Sequence, residues 1–165
     1  MRGIRKLVRM ARRDGTSIDV ISLACSYRRR LSLQMLDDKL AIICIKLAYK
    51  MLFDEDPIDI LASGWLTKVS YRRDEAVVLD ALNFQLHKIT RYEKLMERIH
   101  REELILDKRT LEPLLLQSEA LEERDDLAVD AVLYQASLFP ETVGRKRVHV
   151  EIIDISSDTE VDLSA

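Results

Sequence analysis

The chain has 165 residues, close to half of them apolar, with only four Gly and three Pro and a net charge of -3. That length supports one domain, or one and a fraction, with a real core, and the apolar content excludes disorder throughout. No apolar run approaches the roughly 20 residues of a membrane span, and two cysteines inside apolar segments make neither a disulfide frame nor a metal site.

Leu, Ala, Glu, Lys and Arg dominate, which favours helices joined by short turns. Residues 2–13 predict a first helix with Ile4, Leu7, Val8 and Ala11 on one side and basic groups on the other, broken at Asp14-Gly15. Thr16, Ser17 or Asp19 is expected to cap a second helix that runs to about Leu33, with Val20, Leu23, Ala24 and Tyr27 along one stripe. Asp37 or Asp38 is expected to cap a third, reaching Phe53, whose Leu40, Ile43, Cys44, Leu47, Ala48 and Met51 recur at helical spacing. Ala41, Ile42 and Ile45 fill its flanks, so this helix is expected to be the hub of a bundle. Pro57 marks a turn, and a short helix is expected from Ile58 to Val69 with Trp65 on it. Ser70 is expected to cap a fifth, Tyr71 to Leu86, with Val78, Leu79, Leu82 and Leu86 as its stripe and Val77 and Phe84 flanking. Three more segments follow, Thr90–Leu106, Thr110–Glu123 and Asp126–Phe139, before a tail without helical period.

Charge is uneven along the chain. Residues 1–30 hold nine basic side chains, Arg28, Arg29 and Arg30 among them, against Asp14 and Asp19. A basic lobe on an acidic body points to an acidic or phosphorylated partner, to nucleic acid, or to a solvated helix face. The same first residues, rich in Arg and free of acid, also fit a mitochondrial presequence.

Several of these segments resemble a cyclin box. Leu23–Ser32 is similar to its second helix, Leu47–Asp56 to its third with an alanine–x–lysine and an acidic cluster, and Asp74–Leu95 to its fifth. Met1–Val8 has the methionine–arginine–x–isoleucine opening of the first. The resemblance covers about residues 1–95. It implies an all-α fold: a cyclin-box-like five-helix bundle over 1–89, additional helices over 90–143, and a flexible tail over 144–165. Asp126–Phe139 is faintly similar to the third helix of a second cyclin fold, which would make the middle region a degenerate second copy.

The resemblance further implies a regulatory partner of a cyclin-dependent protein kinase. In the family a lysine and a glutamate in the places of Lys50 and Glu75 grip the kinase backbone; Leu47, Phe53 and Val78 surround them here. Substrate docking through the first helix is not implied, because Arg5 stands at an apolar position of the family and Val8 at a tryptophan. The family's second helix pairs an aspartate with the first-helix arginine; this chain has only arginines there, which leaves Arg2 without that partner. A nuclear location follows, with the cytoplasm as an additional one. A non-kinase adaptor or scaffold of the same fold is the competing reading, ahead of nucleic-acid binding through the basic N-terminal region.

In the tail, Val150, Ile152, Ile153 and Ile155 favour an extended strand, and Asp158 belongs to the acidic run after it. This resembles a SUMO-interacting motif, a strand that adds to the edge of a ubiquitin-like sheet. Ser157 and Thr159 each have a carboxylate three positions on, as in acid-directed phosphorylation sites. The other readings are an edge strand of the protein itself or an ordinary tail. His87, His100 and His149 lie far apart and the glycines are scattered, so the residues suggest no catalytic site, cofactor or metal.

Overall fold

The structure, a computed structural model, describes residues 2–54, 68–106, 108–138 and 144–145, with the backbone alone at 2, 68–71, 108 and 144–145. The architecture is all-α. Helices α1 (Arg2–Arg13), α2 (Ile18–Arg30) and α3 (Asp37–Phe53) are followed by α4 (Lys68–Ala81), α5 (Arg91–Arg101), α6 (Lys108–Ala120) and α7 (Asp125–Ser137). Two two-residue strands, β1 (Leu104–Ile105) and β2 (Gly144–Arg145), pair antiparallel, Leu104 opposite Arg145. No described helix is long and apolar enough to cross a membrane.

The stripe read in α1 packs as expected. Ile4, Leu7 and Ala11 are buried while Arg5, Lys6, Arg9, Arg12 and Arg13 face out. The helix stops because Gly15 takes a φ of 69°, letting the Thr16 amide donate to the Ala11 carbonyl at 3.0 Å and the Gly15 amide to Arg12 at 3.1 Å. This double bond over a left-handed residue satisfies carbonyls the helix end leaves open.

Several boundaries differ from the sequence reading: α2 ends at Arg30, short of Leu33, and α6 and α7 span Lys108–Ala120 and Asp125–Ser137 instead of Thr110–Glu123 and Asp126–Phe139. Asp37 and Asp38 lie in the first turn of α3, where carboxylates complement the helix dipole, and Leu36 holds the cap position. Ser70 sits inside α4, which ends at Ala81 instead of Leu86. There Asn83 takes φ 51°, and the Phe84 amide donates back to Leu79 at 3.0 Å and the Asn83 amide to Asp80 at 2.8 Å. Asparagine here does what glycine does after α1. Finally, α5 ends at Arg101, because Glu103 turns into the left-handed region (φ 52°) and hands the chain to β1. The expected helix at Ile58–Val69 falls mostly outside the described residues; its last two positions open α4.

Two apolar cores result. The first joins α1, α2 and α3 with Val78 of α4 and Leu82 just beyond it. The second joins Leu95 and Ile99 of α5, Leu114 and Leu115 of α6, and Val129, Val132, Leu133 and Ala136 of α7. Helix α3 is buried without interruption from Leu40 to Ala48, as its apolar pattern requires, and packs on α1, α2 and α4. Helix α2 reaches both cores, packing on α1 and α3 and also on α5 and α6, while α1 packs on α6 as well. The buried stretch of α2, Val20 to Tyr27, includes Ser22 and Ser26.

Candidate protein-binding face and the buried junction behind it

Lys50 stands in the last turn of α3 and Glu75 on α4. Lys50 Nζ donates to Glu75 Oε1 at 2.9 Å, with the carboxylate mostly covered and the lysine more open. At the other end of α3, Lys39 pairs with Asp74. The two lysines are about 16 Å apart along the helix, yet their partners are adjacent residues, so α4 crosses α3 near its middle instead of running beside it. Val78, fully buried, packs into the first core one turn on from this crossing.

Phe53, one helical turn on from Lys50, is 47% exposed, and its ring leans on Tyr49 with centroids 5.0 Å apart. Leu52 and Val77, each 44% exposed, stand two residues from Lys50 and Glu75 and so face away from the pair on their own helices. Of the five residues that the sequence suggested for kinase contact, Lys50, Glu75 and Phe53 reach the surface. Leu47 and Val78 lie in the core and act beneath that surface, holding α3 and α4 in place.

Behind this face the basic run of α2 is used internally. Arg28 Nη2 donates to Asp37 at 2.9 Å, and its guanidinium lies where a Cβ on Gly3 would meet it, at 2.7 Å. Arg30 donates to the Gln85 carbonyl at 2.8 Å and lies over the Tyr27 ring, 5.4 Å from its centroid, while the Tyr27 hydroxyl donates to the Leu86 carbonyl at 2.9 Å. Arg29 pairs with Glu119 and approaches Asp125 at 3.8 Å. Each of the three guanidiniums therefore already has a partner inside the fold.

The Arg29 pairing belongs to a polar junction between the two cores. Ser22 donates to Glu119 Oε1 at 2.5 Å and accepts from the Tyr92 amide at 3.0 Å. Arg91, completely buried, donates to the Ser118 carbonyl, to Leu121 at 3.1 Å, to Glu123 at 2.7 Å and to Asp125 Oδ1 at 2.8 Å. It thus ties the end of α6 to the start of α7, satisfying carbonyls that a helix end leaves unpaired. Burial pushes the Glu119 carboxyl up from its ordinary value, against the pull of Arg29 and the Ser22 hydrogen bond. Burial, with a smaller contribution from Glu119, also raises the Cys25 thiol, and burial raises Cys44 to about 12. Nothing in the local sequence marked Ser22, Arg91 or Glu119 as partners.

Among the described residues no group of three or more His, Cys, Asp or Glu side chains is placed to hold a metal ion. The candidate SUMO-binding residues Val150, Ile152, Ile153, Ile155 and Asp158, and the candidate phosphorylation sites Ser157 and Thr159, lie outside the described residues; at Arg2 the backbone alone is described. No family model matches this chain, and no curated protein matches it.

Proposed function

We propose that the chain is a cyclin-like regulatory protein that binds a cyclin-dependent protein kinase and positions its mobile helix. The observation that carries the reading is the Lys50–Glu75 pair, 2.9 Å apart where α3 meets α4, with the half-exposed Phe53 one turn on from Lys50. A lysine has three donors and Glu75 uses one of them, so two remain for backbone carbonyls of a partner; the second carboxylate oxygen of Glu75 accepts from a backbone amide. Charge-assisted bonds of this kind are worth about 1.5–3 kcal/mol each when well made, and the exposed Phe53 ring beside them supplies apolar contact area. Binding energy given to one position of a kinase's mobile helix shifts its population toward that position, a known control point of such enzymes.

The test is a pull-down from nuclear extract with the full chain, wild type against Lys50→Ala/Glu75→Ala, with circular dichroism confirming that both are folded. Retention of a cyclin-dependent kinase by wild type alone supports the reading. A folded wild type that retains none refutes it and leaves a non-kinase adaptor of the same fold. Nuclear location and a SUMO-binding tail belong to the same proposal. The tail is tested separately by binding of SUMO to wild type and to Ile152→Ala/Ile153→Ala; equal binding removes it.

A further inference from the structure

We propose that the exposed arginine stripe of α1, Arg5, Arg9 and Arg13, is the docking surface for this chain's own acidic segment Asp158-Thr159-Glu160-Val161-Asp162. The inference does not depend on the kinase reading. Within α1, Lys6 pairs with Asp38 and Arg12 lies 3.8 Å from Glu112. Arg5, Arg9 and Arg13 are exposed, and among the described residues none of them forms an ion pair. The opposite face of the helix is fixed in the core by Ile4, Leu7 and Ala11, so the three guanidiniums are held on one rigid rail.

Geometry and charge favour this occupant. Residues four apart on a helix are about 6 Å apart along its axis. Alternate residues of an extended segment lie about 6.6 Å apart on one side. Asp158, Glu160 and Asp162 alternate in that way, and after Arg147 the chain carries five carboxylates and no Lys or Arg. Twelve residues separate Arg145, fixed by its pairing with Leu104, from Asp158. Their span at full extension is roughly 43 Å, against a radius of gyration of about 15 Å for a folded chain of this size. The tail therefore reaches α1 from β2. Solvated ion pairs are individually weak, but a tethered segment acts at an effective concentration of order mM, at which weak pairing suffices. A rail about 12 Å long with no aromatic side chain on it is a poor match for a nucleic-acid strand, which needs stacking and a longer run of phosphates. Phosphate on Ser157 or Thr159 adds about -1.5 to -2 charge each and tightens the contact. The result is a latch sensitive to salt and phosphorylation.

The experiment uses the full chain with Ala165→Cys carrying a nitroxide; Cys25 and Cys44, both 0% exposed, stay unlabelled in the folded protein. The expected result is broadening of the α1 amide signals in a ¹⁵N spectrum, lost near 1 M salt, where screening acts within about 3 Å. Broadening is also lost in Asp158→Lys/Glu160→Lys/Asp162→Lys and in Arg5→Glu/Arg9→Glu/Arg13→Glu, and returns when the two sets are combined. Because the arginines are exposed, the reversals keep the fold, which the same spectra verify. Unbroadened α1 signals in the wild-type sequence overturn the proposal, as does persistence of broadening in either single reversal. Broadening seen when ¹⁵N-labelled unmodified chain is mixed with nitroxide-bearing unlabelled chain assigns the stripe to a second copy and also overturns it. So does a single-stranded oligonucleotide that shifts the α1 signals while the nitroxide leaves them sharp.

Discussion

The Ser22 hydroxyl of α2 donates to the Glu119 carboxylate of α6 at 2.5 Å, joining residues 97 positions apart. Both are fully buried, and Ser22 also accepts from the Tyr92 amide at the start of α5. One small side chain inside an apolar helix therefore fixes how the second core meets the first. A hydroxyl suits the place because it donates and accepts at once.

Removing Glu119 leaves Ser22 and Arg29 without their acceptor. Glu119→Ala is expected to lower stability by about 3 kcal/mol, read as a shift of the urea midpoint. Arg29→Ala in the same background should add little, because the two act as a pair. The pH dependence has a definite sign. Burial raises the Glu119 carboxyl in the folded state, so the folded chain holds that proton more tightly than the unfolded chain. Stability of wild type relative to Glu119→Gln is therefore greatest below the ordinary glutamate value near 4.5 and declines as pH rises from there through the folded value. A difference that grows with pH would contradict the assignment.

Arg91 is irreplaceable by another cation. Four acceptors around it share one planar guanidinium, and an ammonium cannot reach them together. Arg91→Ala should destabilise by about 3–5 kcal/mol, and Arg91→Lys should recover only a small part of the loss. Thermal unfolding followed by circular dichroism checks both.

The start of α5 rests on a reciprocal cap. Thr90 Oγ1 accepts from the Glu93 amide at 3.2 Å, and the Thr90 amide donates to the Glu93 carboxylate at 2.7 Å. Thr90→Ala should cost about 1 kcal/mol and Thr90→Ser much less. Equal losses in urea titrations would mean that the methyl group, and not the hydroxyl, is what matters at this position.

Cys25 and Cys44 are closed to chemistry while the protein is folded. With Cys44 raised to about 12, its thiolate fraction near pH 8 is on the order of one in ten thousand. Cys25, fully buried and raised as well, behaves alike. Labelling by a thiol reagent at pH 8 should follow unfolding, rising steeply across the urea transition. Prompt labelling without denaturant would contradict the burial.

Much of the helical order was legible from residue pattern alone. The face of α1 and its stop at Gly15, the span of α3 and its burial on all sides, and Thr90 at the head of α5 follow from periods and turn chemistry within a dozen residues. The end of α4 was less legible, since Asn83 adopts a left-handed backbone that asparagine tolerates but does not require. Of the candidate face, Lys50 and Glu75 were visible as charges beside apolar stripes; that they meet depends on α4 crossing α3.

What the sequence by itself determined is which segments are helical and which faces turn inward, because those are local consequences of propensity and periodicity. Only the tertiary structure decided what the charges do. Arg28, Arg29 and Arg30 read as one basic run, yet they point in three directions, to Asp37, Glu119 and the Gln85 carbonyl. Successive helical residues are turned about 100° from one another, so neighbours in a run face different elements. Which elements stand there is fixed by packing of segments up to 90 residues away.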